Sequence, residues 1–285
     1  MTTDTTVRQT ASGVARPQIR QTGLLRQSWA ITRRNLIHIK RMPEMLMDVT
    51  VQPVMFVLLF AYVFGGSIAV QGSPAGYREW LMGGIMGQTI AFASFVVAVG
   101  LTADIDKGIV DRMRSLPINP AAVLVGRSIS SLIHSSIGIL VMSVTGLFVG
   151  WRIRDGLAGA VLAYLLLLMW GFAMIWVGIL VGSAMRSVES VNGVMFTTMF
   201  PITFLANTFA PTGNMPHWLR VVAEWNPISS LVQAVRELWG NDLPVPVDAQ
   251  LPLHHPVITT LIWTVGITLV MAPLALRAFR RRVQQ

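Results

Sequence analysis

Long apolar runs at about 46–65, 81–102, 125–149, 158–183, 191–209 and 257–276 divide this chain, with short polar or glycine- and proline-rich links between them. Each run has, or nearly has, the roughly 20 residues that a helix needs to cross a bilayer. The pattern therefore predicts an all-α integral membrane protein with six transmembrane helices. Gly65-Gly66 and the Gly72, Pro74, Gly76 cluster close the first run, Gly150–Gly156 links the third to the fourth, and Met185–Ser190 links the fourth to the fifth. Together the runs make a six-span transmembrane domain over 45–276.

The segments outside the runs have patterns of their own. Residues 1–23 are polar, rich in Thr, Gln and Arg, and show no apolar period, as expected of a disordered tail. No apolar core with a small-residue cleavage site follows its arginines, so it does not read as a signal peptide. Over 24–44 the pattern changes. Leu25, Trp29, Thr32, Leu36 and Ile39 step by four and three, while Arg26, Arg33, Arg34, Lys40 and Arg41 take the other side of the wheel. This is the pattern of an amphipathic interfacial helix. Met42, Pro43 and Glu44 then turn the chain.

Between the second and third runs lies D-I-D-K-G-I-V-D-R-M-R-S-L-P at 104–117, the most charged stretch of the chain. Its charges bar it from hydrocarbon, where each costs about 2.5–3.5 kcal/mol at the centre of a span. Ile109, Val110, Met113 and Leu116 nevertheless form a short helical stripe that Pro117 stops. Such a segment is a solvated loop or a surface that touches another protein. Between the fifth and sixth runs, residues 216–239 predict two short helices. One begins at Pro216 with Trp218, Val222 and Trp225 on one face, and Asn226-Pro227 breaks it. The second runs from about Ile228 to Trp239 and ends at Gly240-Asn241. Neither is long enough to span, and Trp218, Trp225 and Trp239 suit a membrane interface.

Composition agrees with this class: 53% of residues are hydrophobic and only 12% charged, against about 25% charged in soluble domains, and the mean hydropathy is +0.59. Cysteine is absent, which excludes disulfides and thiolate chemistry. The net charge of +9 reflects membrane orientation rather than nucleic-acid binding. Of the 22 basic residues, only Arg78, Arg152, Arg154, Arg220 and Arg236 fall on the outer side when both termini are inside. The termini, 104–117 and the basic tail at 277–285 are thus expected in the cytoplasm, and 216–239 outside.

Much of the remaining chemistry is excluded. The only lysines, Lys40 and Lys107, follow no G-x-x-x-x-G-K-[ST] loop, so the chain has no Walker A nucleotide site. No acid stands in the middle of a run, which disfavours an ion relay. His134, among Ser130, Ser131, Ser135 and Ser136, reads as a hydrogen-bonded bundle histidine, and His254-His255 lacks further metal ligands at suitable spacing. Gly83-x-x-x-Gly87 permits close helix contact. Thr197, Pro201, Phe204 and Thr208 share one wheel face, which lines a pathway or packs on a neighbouring helix. An ion-coupled transporter or channel working without an ATPase is the alternative to the reading below.

The order of these parts, with 104–117 after the second run and N-T-F-A-P-T-G-N-M-P-H-W-L-R-V-V-A-E-W-N-P before the sixth, resembles the type-2 ABC exporter permeases, in particular the daunorubicin and doxorubicin resistance permeases of actinobacteria. The resemblance implies a drug-efflux and antibiotic-resistance branch and covers nearly the whole chain after residue 24. It implies a coupling helix that docks on a separate ATP-binding subunit, formed here by Asp104, Asp106, Lys107, Gly108, Asp111, Arg112, Arg114 and Pro117. It also implies an external cap that includes Met215, Pro216, Trp218, Asn226, Pro227 and Arg236. Such a permease binds no cofactor itself, ATP and Mg lying on the partner subunit. It works in the plasma membrane with a second copy of itself or a close paralogue, among membrane lipids, and moves an amphipathic small molecule outward.

The basic-residue count makes a direct prediction. A reporter fused after Gln285 is expected to behave as cytoplasmic, and one inserted near Asp242 as external. A C-terminal fusion found outside removes the six-span topology.

Overall fold

The computed structural model describes residues 23–41, 47–64, 76–109 and 120–284, and among them every regular element is helical. Helix α1 spans Leu24–Arg41 and α2 spans Met47–Leu58, passing directly into a π-helical turn at Leu59–Phe64. Then come α3 (Gly76–Asp106), α4 (Pro120–Val149), α5 (Gly156–Ala184) and α6 (Val188–Leu205). A single 3₁₀ turn at Thr212–Asn214 precedes α7 (His217–Trp225), α8 (Pro227–Trp239), the one-turn α9 (Leu251–His254) and α10 (Pro256–Gln284). Four helices, α3, α4, α5 and α10, are long and apolar enough to cross a membrane, and a shorter apolar stretch runs over Thr50–Val63 in α2 and its π turn. Helix α6 has 18 residues but dilutes its apolar character with Asn192, Thr197, Thr198 and Pro201.

The long helices alternate in direction. The start of α3, the end of α4, the starts of α5 and α10 and the helices α7–α9 gather at one end, here the capped end. The end of α3, the starts of α4 and α6, the ends of α5 and α10, and α1 gather at the other, the tail end. This follows from contacts such as Arg154 with Glu79 and Leu238 against Gly159 at the capped end. Asp104 with Arg127 and Arg282 donating to the Arg186 carbonyl define the tail end.

Helices α3 and α5 form the axis of the core. Their contact is made on glycine: a methyl group at Gly178 would overlap the Ser94 carbonyl, one at Gly182 would stand 2.6 Å from the Ala98 carbonyl oxygen, and one at Gly171 would stand 2.8 Å from Ile90. Small residues are how membrane helices gain close van der Waals packing when no hydrophobic drive separates protein from lipid. Thr102 adds a hydrogen bond from its hydroxyl to the Gly182 carbonyl at 3.0 Å.

Several expectations shift. The basic tail at 277–285 is a continuation of α10 as far as Gln284, and α6 ends at Leu205, short of 209. Helix α1 forms where an amphipathic helix is expected; Ser28, Ile31 and Thr32 make its buried face, and Leu25 and Trp29 of the apolar stripe are 83% and 61% exposed. The reason lies in α4. Gly126 leaves room for the α1 backbone, its absent methyl otherwise 2.7 Å from the Ser28 carbonyl, and Thr32 donates to the Gly126 carbonyl at 3.0 Å. Helix α1 thus has two apolar faces about a quarter turn apart, one for protein and one left open. Trp239, expected at an interface, is wholly buried against Trp151 and Tyr164.

If α3 and α5 meet on backbone, Gly178→Ala loses about 1–3 kcal/mol to overpacking, outweighing the propensity gain of about 1 kcal/mol over glycine. Gly266→Ala, with open space around its Cα, keeps only the gain. Thermal unfolding in detergent is expected to fall for the first and hold or rise for the second. Equal behaviour of the two disproves the backbone contact.

Candidate functional site

At the tail end, α3 carries the charged stretch outward. Asp106, the last helical residue, and Lys107 are exposed, and Gly108 takes a left-handed φ of +64° that turns the chain after the Lys107 and Gly108 amides bond to Ala103 and Ile105. Asp104 does not face outward alone, because it forms an ion pair with Arg127 of α4. Gly100 leaves room for that guanidinium. Asp111, Arg112, Arg114 and Pro117 lie outside the described residues.

At the capped end three polar networks lock neighbouring segments together. Glu224 of α7, with no exposed surface, accepts from the Thr212 hydroxyl at 2.9 Å, from Arg220 Nε at 2.7 Å and from the Gln250 amide at 2.7 Å. Arg220 also reaches Asp248 with two bonds of 2.8 and 3.0 Å. Those bonds hold the Asp248 carboxyl below its ordinary range, so the contact persists above that range and is lost only as pH falls through the lowered value. Glu79 of α3 accepts two bonds of 2.8 and 2.9 Å from Arg154 and a third of 2.9 Å from Asn241. Asn241 in turn accepts from Trp151 Nε1 at 2.8 Å.

The third network centres on Arg236 of α8, which has no exposed surface and no carboxylate partner among the described residues. Its guanidinium donates to the carbonyls of Trp80 at 2.8 Å, Asn207 at 3.0 Å and Thr208 at 3.1 Å, and its Cζ sits 3.5 Å from the centroid of the Trp80 ring. A buried cation is tolerable only when its donors are used, and here the fork is spread over two segments that α8 must hold together. The room comes from glycine on α3. A methyl at Gly83 would stand 2.7 Å from Arg236 Cγ, one at Gly84 would overlap the Thr208 carbonyl, and one at Gly87 would stand 2.6 Å from Val232. The Gly83-x-x-x-Gly87 pair receives α8 and the loop after α6.

The other predicted cap residues divide by role. Asn226 caps α8 by accepting from the Ile228 amide at 2.9 Å while donating to the Ile202 carbonyl at 2.6 Å, and Pro227 is the first residue of α8. Met215 closes the 3₁₀ turn and Pro216 precedes α7. Trp218 is 70% exposed, on the open face of α7 with Val222 and Trp225. Gly240 ends α8 at φ +67°.

Helix α6 buries one stripe, Val191, Met195, Met199 and Thr203. Thr197, Pro201 and Phe204 lie on its exposed side, whereas Thr208 stands past the helix end with its side chain buried, so the wheel face that joined the four stops at Phe204. Along that open side Phe196, Phe200 and Phe204 stack in succession, and Phe204 meets Phe209, which stacks on Phe60 at 4.4 Å between centroids. No cluster of metal ligands occurs among the described residues.

Residues 26–238 match the ABC-2 type transporter model. The chain belongs to the ABC-2 type transporter family. A daunorubicin resistance ABC transporter permease of Streptomyces coeruleorubidus is 29% identical over 256 residues, covering 87% of this chain and 84% of that protein. A doxorubicin resistance ABC transporter permease of Mycobacterium tuberculosis is 23% identical over 255 residues, covering 87% and 86%. As a member of the ABC-2 family the chain is a membrane transport subunit.

Sequence reasoning placed Arg236 in the cap but missed that it is buried. The available signal was the doubled glycine at 83–84 on α3, whose partner cannot be read from spacing. Arg236→Lys keeps the charge but cannot reach three carbonyls from one ammonium, and leaving buried groups unmet costs about 1–3 kcal/mol. The substitution is expected to lower the unfolding temperature in detergent and to expose the capped end to limited proteolysis. An unchanged protein on both counts rejects the latch.

Proposed function

We propose that this chain is the membrane-spanning subunit of an ATP-driven exporter that moves amphipathic drugs or lipids out of the cell, energised by a separate ATP-binding subunit. The observation that carries the reading is α3, a single helix of 31 residues whose first turns hold the cap through Trp80, Gly83 and Gly84 and whose last turn opens into the charged stretch at 104–117. One rigid rod joins a protein-docking end to a cap. Family membership and the absence of a Walker A loop support it, and so do relatives named for daunorubicin and doxorubicin resistance.

In this reading α2 and α6 join the four long helices to make six spans, with both termini cytoplasmic in the plasma membrane and the cap outside. Two copies form the pathway. The open side of α6 supports this, since Asn192, Thr197 and Thr198 are exposed there and polar groups in a membrane helix favour a protein or water-lined neighbour over lipid. Thr197, Pro201 and Phe204 then face the pathway. ATP and Mg bind the partner subunit, which grips Asp106, Lys107, Gly108, Asp111, Arg112, Arg114 and Pro117, with Asp104 bracing that grip through Arg127. A partner shifts a two-state equilibrium only by binding the states unequally. The ATPase dimer must therefore hold the two coupling stretches differently with and without ATP.

Two experiments test this. Exchanging the charges of Asp111 and Arg112 keeps net charge and should leave membrane insertion intact while ATPase recovery and transport fall. Unchanged recovery and transport at normal protein levels make 104–117 a solvated loop. Liposomes holding the purified chain, with and without the ATPase, are then followed with an amphipathic cationic dye. ATP-dependent uptake only with the ATPase is expected, and transport by the chain alone on a proton gradient replaces this function with the ion-coupled one.

A further inference from the structure

An apolar crevice of about 420 Å³ opens on the flank of the bundle between α4, α5 and α10. Its walls are Leu132, Leu168, Phe172, Val265 and Leu269, with Leu269 69% exposed at the mouth. The two polar residues in its lining contribute no free hydroxyl hydrogen, because Thr264 and Thr268 each donate to the carbonyl four residues earlier at 2.7 Å. The crevice lies midway along α5 and α10. What fills it at that depth must be hydrocarbon.

A charge stands at the right distance to hold the other end of such a molecule. Arg280 follows Leu269 by eleven residues on the same helix, which runs on through Pro273; at regular helix geometry that is about 16 Å of rise and about 20° from the same face. One leaflet of hydrocarbon is about 15 Å deep. Arg280 is exposed and makes no ion pair among the described residues. The end of α10 meets the end of α5 where Arg282 donates to the Arg186 carbonyl, so Arg186 adds positive charge to the same corner. We propose that this flank binds one anionic phospholipid, with an acyl chain in the crevice and its phosphate headgroup at Arg280. A second copy of the chain fits this flank poorly, since the crevice is concave and its two hydroxyls are already engaged within α10, unlike the open side of α6. The site stands whichever end of the bundle faces the cytoplasm.

The test uses the full chain purified in detergent and titrated with dioleoyl phosphatidylglycerol or dioleoyl phosphatidylcholine, bound lipid being counted by native mass spectrometry. The anionic lipid is expected to be retained about fivefold better, the effect of one basic residue on an anionic headgroup. Arg280→Gln removes that preference. Arg281→Gln, which removes the same charge about 100° away from Arg280 on the wheel, keeps it. Val265→Trp fills the crevice and reduces retention of both lipids. Equal retention of the two lipids by the unmodified chain, or an equal loss of preference in both arginine variants, overturns the proposal. So does a Val265→Trp protein of normal unfolding temperature that retains lipid as before. A lipid-free dimer that Val265→Trp dissociates assigns the flank to a second copy and also overturns it. Where Val265→Trp does not accumulate, the paired arginine variants decide, as neither disturbs the interior.

Discussion

Close approach of backbone to backbone along α3 is the constraint on which the rest of this structure depends. On one side Gly178 and Gly182 of α5 admit the Ser94 and Ala98 carbonyls, and on another Gly83, Gly84 and Gly87 of α3 admit α8 and the Thr208 carbonyl. In lipid no hydrophobic effect pulls apolar helices together, so packing area and hydrogen bonds must do it. A methyl group at Gly84, Gly178 or Gly182 would meet a neighbouring carbonyl, and one at Gly83 or Gly87 the side chain of Arg236 or Val232. Helix α3 is accordingly buried on most sides over its first two-thirds, and α8, though only 13 residues long, is buried nearly all round.

Charge is handled differently at the two ends. At the capped end Glu79, Glu224 and Arg236 are each removed from solvent, and each has its hydrogen-bonding capacity taken up by neighbours from other segments. Burying charge is tolerable only on those terms, and removing one partner strands the other. The result is a cap whose α7, α8 and flanking loops move with the start of α3. At the tail end Asp106, Lys107, Arg277, Arg280 and Arg281 remain exposed. Exposed charges of this kind contribute little to holding the fold.

Two elements pack less closely than the core. Helix α6 touches the bundle through a single stripe and contains Pro201, whose missing amide leaves the helix easier to bend. Helix α2 contains Pro53 and gives way to a π turn at Leu59–Phe64, a local distortion often found where helices serve a function. These two are joined by the phenylalanine contacts of Phe204, Phe209 and Phe60.

The class and several helix ends were legible because they rest on local rules. Apolar length marks a helix that can cross a bilayer, proline and glycine mark ends, and Asn226 with Pro227 starts α8 much as Gly240 stops it. Each needs only a few adjacent residues. Which faces meet was decided by tertiary structure alone. Lipid and protein interior are equally apolar, so hydropathy cannot tell a side chain that faces lipid from one that faces another helix. For that reason the apolar stripe on the wheel of α1 did not reveal that Ser28, Ile31 and Thr32 pack on α4 while Leu25 and Trp29 stay exposed, and the wheel set Trp239 at an interface when it is in the core. It placed Arg236 on a helix without revealing the carbonyls of Trp80, Asn207 and Thr208, up to 156 residues away, that make its burial possible.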